Sequence, residues 1–133
     1  MPFDARKPSM KKILIVDDHA DIRRLIRMTL EFEDYDVREA ADGDTALVLA
    51  QEFQPDLVLL DVMMPGATNG LEVCRRLRAD RVAGSGPRVI MLSARGQASD
   101  REAGLQAGAD TYLVKPFSPL QLISCIGELW AAV

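Results

Sequence analysis

Four consecutive branched apolar residues ending in a carboxylate, Leu57-Val58-Leu59-Leu60-Asp61, leave few folds open. A surface strand would alternate with polar residues, and a core helix would not run out into an acid. The pattern fits a strand covered on both faces by helices, as in a parallel sheet, with its last residue emerging at the carboxyl edge. Ile13-Leu14-Ile15-Val16 followed by Asp17-Asp18 repeats it. Ligands of open parallel sheets bind at that edge. With the two strands as neighbours, three carboxylates converge there.

The remaining chain supplies the rest of such a sheet. Residues 1 to 10, polar and proline-containing, read as a flexible lead-in, and the folded unit as residues 11–133. The first strand is Lys12 to Asp17. Ile22, Leu25, Ile26, Thr29 and Leu30 recur at helical spacing, so a helix is predicted from about Ala20 to Glu31. Tyr35 to Ala40 is a short second strand. Asp42 or Asp44 caps a helix that turns Ala46, Leu47, Ala50 and Phe53 inward, and Pro55 ends it before the central strand. Beyond a loop from Val62 to Thr68, Asn69-Gly70-Leu71-Glu72 opens a helix with Val73, Cys74 and Leu77 on one face. Pro87 precedes a fourth strand, Arg88 to Leu92, which Ser93 ends. Ser99-Asp100-Arg101-Glu102 reads as a capping box for a weak helix, with Gly104 inside, little beyond alanine and Leu105 to bury, and Gly108 as its stop. Asp110 to Val114 is a fifth strand. Ser118-Pro119-Leu120-Gln121 then caps a helix carrying Leu122, Ile123, Ile126, Leu129 and Trp130.

Five strands alternating with five helices specify an α/β fold: a doubly wound parallel sheet with helices on both faces. In the order 2-1-3-4-5 the first and third strands meet at the switch point. Asp17, Asp18 and Asp61 then share one cleft with Ser93 and Lys115.

The 133 residues suit one domain with its own core. A net charge of -4 provides no basic footprint for nucleic acid. No apolar run approaches the roughly 18 residues of a membrane span, and Met1-Pro2-Phe3-Asp4 lacks the pattern of a secretion signal. Cys74 and Cys125 do not suggest a disulfide framework. These features read as a cytoplasmic protein.

At an effective dielectric near 20, each close pair of ionised carboxylates costs about 3–4 kcal/mol. Such a cluster persists around a divalent cation, and all-oxygen ligands favour Mg²⁺ or Mn²⁺. A cation held by two acids keeps open positions for phosphate oxygens. Lys115 adds a positive charge for the same group, the Ser93 hydroxyl a hydrogen bond, and Asp61 a nucleophile toward phosphorus.

The span from Lys11 to about Val133 resembles the receiver domain of two-component response regulators. The likeness is carried by Ile13-Leu14-Ile15-Val16-Asp17-Asp18, Leu59-Leu60-Asp61-Val62-Met63-Met64-Pro65-Gly66, Met91-Leu92-Ser93-Ala94 and Lys115-Pro116-Phe117, in that order. It implies a flavodoxin-like sheet and a phosphorylation switch rather than an enzyme with an external substrate. Asp61 would accept a phosphoryl group from the phosphohistidine of a sensor histidine kinase or a histidine phosphotransfer protein. Asp17, Asp18, Asp61 and the Met63 carbonyl would hold Mg²⁺, with Mn²⁺ as a substitute. Ser93, Ala94 and Lys115 would contact the phosphoryl oxygens, Ser93 and Tyr112 would form the switch pair, and the peptide before Pro116 would be cis. The output is a downstream protein or an output domain, and the resemblance also admits a homodimer through the helix 4–strand 5–helix 5 face. No output domain follows Val133, which reads as a stand-alone receiver or as a fragment of a longer chain. Gly66-Ala67-Thr68-Asn69-Gly70 is one residue longer than the family's usual loop and lacks its acid. Met63 and Arg95 occupy positions that modulate phosphoryl lifetime in relatives.

Each residue has a plainer reading. Asp18 could cap the first helix, Ser93 could be a loop serine, Lys115 a solvated lysine and Tyr112 a half-buried strand residue. His19, the only histidine, reads as a partly exposed residue at a helix start, with a metal role as the alternative. Arg75, Arg76, Arg78 and Arg81 read as a solvated helix face. A flavin-binding sheet would need hydroxyls and glycines after its first strand, where Asp17-Asp18-His19 would repel a phosphate. A dehalogenase-type phosphatase would need an aspartate at position 19.

Overall fold

A computed structural model describes residues 10–64, 66, 68–79, 86–93 and 98–131, without the side chains of 98–100. The elements run β1 (Lys11–Val16), α1 (Ala20–Leu30), β2 (Tyr35–Ala40), α2 (Gly43–Phe53), β3 (Leu57–Asp61), α3 (Gly70–Ala79), β4 (Arg88–Ser93), α4 (Ala98–Gln106), β5 (Thr111–Val114) and α5 (Pro119–Ala131). All five strands are parallel, in the order β2-β1-β3-β4-β5.

Strand alternation divides the core into two layers. Leu14, Val16, Val58, Leu60, Val89 and Met91 face α2 and α3 through Ala46, Ala50, Val73, Cys74 and Leu77. Ile13, Ile15, Leu57, Leu59, Ile90 and Leu92 face α1 and α5 through Ile26, Leu30, Leu122, Ile126 and Leu129. Every residue of β3 is buried, as expected of a central strand covered on both faces.

The caps are largely local. Asp42, rather than Asp44, caps α2, accepting from the Thr45 amide at 2.8 Å. Asn69 accepts from the Glu72 amide at 3.0 Å. Ser118 and Gln121 form a reciprocal box, at 3.1 and 2.8 Å. Gly108, at φ +109°, follows the end of α4.

Several expectations are corrected. α4 starts at Ala98, so Ser99 lies inside its first turn and not at the cap. Leu105 is exposed, and the helix instead buries Gly104 and Ala107. A Cβ on Gly104 would come within 2.9 Å of the Met91 side chain, so α4 lies too close to β4 for a larger residue there. Leu25 and Ile123 sit on exposed rims of their helices. Trp130 is half-buried against the α1–α5 layer and donates its Nε1–H to the Tyr35 hydroxyl at 3.2 Å. Cys74 and Cys125 are free thiols, both raised above the usual thiol range by burial. The lead-in before Met10, together with Arg81, lies outside the described residues.

The basic run on α3 divides in two. Arg75 and Arg76 are solvated and pair with Glu72 within their own helix. Arg78 is not a surface residue: it bonds the Gly108 carbonyl, the Pro87 carbonyl at 3.3 Å and the Asp110 carboxylate. Asp110 in turn accepts from the Val89 amide at 2.8 Å. Arg78 therefore ties α3 to the start of β4 and the turn before β5. Replacing it leaves several partners unpaired, so Arg78→Met is expected to lower unfolding free energy by about 1–3 kcal/mol. Arg75→Ala should stay within about 0.5 kcal/mol of wild type; urea titration of both variants checks the contrast.

Candidate functional site

The register Val16↔Leu60 sets the ends of β1 and β3 side by side, so Asp17 leaves the sheet beside Asp61. β4 delivers Ser93 to the same edge, and the Lys115 amide donates to the Ser93 carbonyl at 2.8 Å as the chain leaves β5. Asp17, Asp61 and Ser93 are all buried.

Lys115 Nζ stands 2.9 Å from Asp17 Oδ2 and 3.3 Å from Asp61 Oδ1. The first contact is an ion pair out of line for a hydrogen bond. Asp61 Oδ1 also accepts from the Met63 amide at 3.3 Å. Asp17 Oδ1 accepts from the His19 amide at 2.8 Å and contacts His19 Nδ1 at 3.1 Å, which suits an Nδ1–H tautomer. Burial first, and then the charge of Asp17, raise the Asp61 carboxyl to about 6 against the opposing pull of Lys115. Burial would by itself lower the Lys115 ammonium, but its close contact with Asp17 and its proximity to Asp61 hold it above the ordinary lysine range.

Four buried polar atoms have no hydrogen-bond partner among the described residues: Asp17 Oδ2, Asp18 Oδ1, Asp61 Oδ2 and Ser93 Oγ. All four belong to this edge of the sheet. Buried orphans of this kind are rare in folded proteins, and one lysine cannot neutralise three acids. One ligand atom from each of Asp17, Asp18, His19 and Asp61 lies within 4.8 Å of the others. The donor set is mostly carboxylate oxygen, so the residues fit a small divalent cation.

The plainer readings fare unevenly. Asp18 is not the α1 cap, since His19 holds that position without a side-chain bond to the helix. The His19 imidazole is largely exposed yet touches both acids, 3.3 Å from Asp18 Oδ1. Tyr112 is half-buried, and its hydroxyl accepts from Arg101 Nη1 at 3.2 Å while the guanidinium stacks 5.1 Å from the ring centroid. The Lys115–Pro116 peptide is cis. Ala94 and Arg95 lie outside the described residues.

Between β3 and α3 the described chain meets α2 at Thr68. Thr68 is buried, and its hydroxyl donates to Asp44 Oδ1 at 2.7 Å. Two glycines permit this closeness: a Cβ on Gly43 would lie 2.1 Å from the Thr68 carbonyl oxygen, and one on Gly70 only 1.9 Å from that of Asp61. The contact of Thr68 with Asp44, and that of Arg101 with Tyr112, carry no local sequence signal, because each partner comes from a separate element.

Comparison with known proteins agrees with this architecture. The chain belongs to the response regulator receiver domain family, whose model matches residues 13–127. Such a domain is the phosphoacceptor switch of two-component signalling. The transcriptional regulatory protein ResD of Bacillus subtilis is 50% identical over 112 residues, covering 84% of this chain and 45% of ResD. The DNA-binding response regulator MtrA of Mycobacterium tuberculosis is 44% identical over 114 residues, 86% of this chain and 48% of MtrA. The chain thus spans about half the length of these relatives. The chemotaxis response regulator CheY4 of Vibrio cholerae superposes with a TM-score of 0.81 at 33% identity, over 90% of this chain and 98% of that one. No helix among the described residues is long and apolar enough to cross a membrane.

The raised Asp61 carboxyl implies a pH-dependent stability. Its native value near 6 exceeds the ordinary carboxylate value near 4, so the native state holds this proton more tightly. The resulting stabilisation is complete below about pH 4 and is lost as pH rises through about 6. In cation-free buffer Asp61→Asn is therefore expected to melt several degrees above wild type at pH 7.5, about 4 °C per kcal/mol of relieved repulsion. The gap should shrink on acidification toward pH 4, which calorimetry across that range would show.

Proposed function

We propose that Asp61 is the phosphoacceptor, and that Asp17, Asp18 and Asp61, with the Met63 carbonyl, hold the Mg²⁺ that phosphorylation requires. The cluster of buried, unpartnered oxygens at the end of β1 and β3 carries this reading. Bound there, Mg²⁺ (or Mn²⁺) would offset the carboxylate charge and screen the incoming phosphoryl oxygens.

The chain's own residues account for the rest. An Asp61 oxygen attacks phosphorus in line with the leaving group. The P–N bond of a phosphohistidine, or the P–O bond of acetyl phosphate, breaks and its electron pair leaves with the donor. The Met63 amide holds Oδ1, so the attacking carboxylate does not have to be oriented anew. Lys115, already 3.3 Å from Asp61 Oδ1, pairs with a phosphoryl oxygen. Ser93, whose hydroxyl has no partner among the described residues, gives it to another.

Phosphorylation adds about 1.5–2 negative charges. Lys115 and Ser93 would be drawn toward them, and Tyr112 would follow Ser93 as the second half of the switch. Tyr112 bridges β5 to α4 through Arg101. A shift of populations from 1:99 to 99:1 needs about 5.5 kcal/mol of differential interaction, within reach of a few charge-assisted hydrogen bonds.

The donor is a histidine kinase or histidine phosphotransfer protein, and the recipient of the signal a downstream protein or an output segment. ResD and MtrA bear transcriptional and DNA-binding names, but these describe proteins about twice as long. With a net charge of -4, this chain is not proposed to bind nucleic acid itself.

Incubation with acetyl phosphate and Mg²⁺ should add one phosphoryl group to the intact mass. Asp61→Asn and EDTA should each abolish the adduct, and Lys115→Ala should slow its formation by at least tenfold, about 1.4 kcal/mol in the barrier. An unchanged adduct in Asp61→Asn would refute the assignment.

A further inference from the structure

Asp17 is held at three of its four polar points. Its amide donates to the Ala40 carbonyl of β2 at 3.2 Å, and its Oδ1 accepts from the His19 amide. Its carbonyl lies just beyond the last paired residue of β1 and would lack a strand partner. Arg23 supplies one, with Nη1 2.6 Å from that carbonyl oxygen. Only Asp17 Oδ2 is left without a hydrogen-bond partner among the described residues, with the Lys115 ammonium 2.9 Å away as an ion pair.

Arg23 is itself fixed. Its Nε donates to Glu39 Oε1 at 2.9 Å, while Arg27 takes the other Glu39 oxygen and reaches the Val37 carbonyl at 3.2 Å. Arg23 and Glu39 are both mostly shielded from solvent. The position near the start of α1 gives a cation no benefit from the helix dipole, so local helix chemistry does not account for an arginine there. A guanidinium suits the task because its planar fork serves a carbonyl and a carboxylate at once, which a lysine point charge does not.

We propose that Arg23, braced by Glu39, is a positioning residue for the cation site: by holding the Asp17 main chain it fixes where Oδ2 meets the cation. This rests on the reading of the acidic cluster as the Mg²⁺ site. Residues that orient metal ligands from behind typically alter affinity by 10–100-fold, and Arg23 acts in that way, through the Asp17 carbonyl rather than through a carboxylate oxygen of the cluster.

The test is Mn²⁺ binding by electron paramagnetic resonance on the 133-residue protein, without phosphodonor. It is accompanied by the Mg²⁺ concentration giving half-maximal acetyl phosphate labelling. Arg23→Ala should weaken Mn²⁺ binding about 10-fold or more and raise the half-maximal Mg²⁺ in proportion. The labelling rate at saturating Mg²⁺ should return to within about twofold of wild type, since the acceptor is untouched. Arg23→Lys should recover part of the loss. Glu39→Gln, which keeps Arg23 but removes the charge behind it, should fall between wild type and Arg23→Ala, and it serves if Arg23→Ala does not fold. The exposed neighbour Arg24 controls for net charge: Arg24→Ala should stay within about twofold. Equal effects in Arg23→Ala and Arg24→Ala, or unchanged affinity in both Arg23→Ala and Glu39→Gln, would overturn the proposal. Unchanged Mn²⁺ binding in Asp17→Asn would instead overturn the cation-site reading beneath it.

Discussion

Three carboxylates gathered against one ammonium at the carboxyl edge of the sheet constrain most of this molecule. Left in water they would separate. Here Asp17 and Asp61 stand at the buried carboxyl ends of adjacent strands whose pairing does not allow them to part. Burial first, and then this enforced proximity to Asp17, raise the Asp61 carboxyl. The edge is thereby receptive to positive charge.

The architecture supplies what that arrangement needs. A strand such as Leu57–Asp61 tolerates no slippage, because its residues fill two different hydrophobic layers alternately. The unfavourable acids thus end on a rigid base. Beside that base lies α4, whose described residues bury Gly104, with Ala107 buried just past its end. Arg101 on α4 reaches Tyr112 on β5, so this helix is linked to the strand that leads to Lys115.

Charged side chains outside the cluster divide into pairs that hold the frame and pairs that do not. Arg78 and Asp110 join three segments of backbone, and Arg23 and Glu39 join α1, β1 and β2. The Glu72 pairs with Arg75 and Arg76 remain in solvent on one helix and contribute little. Composition treats these arginines alike; their partners distinguish them.

Much of the fold was legible in the order of residues. The apolar runs ending in acids, the capping residues Asp42, Asn69 and Ser118, and the glycine after α4 act over a few positions, where backbone sterics and side-chain periodicity are local. They determined the alternation of strands and helices, and with it the meeting of Asp17, Asp18, Asp61, Ser93 and Lys115 at one edge. Tertiary structure alone decided the rest. The exposure of Leu105, the closeness of Gly43 to Thr68, the choice of Arg78 over Arg75 and the brace from Arg23 to Glu39 depend on which elements become neighbours. Arg23 and Glu39 lie 16 positions apart, and Arg78 and Asp110 lie 32 apart. A long polar side chain can reach many partners, and only the folded sheet order selects one.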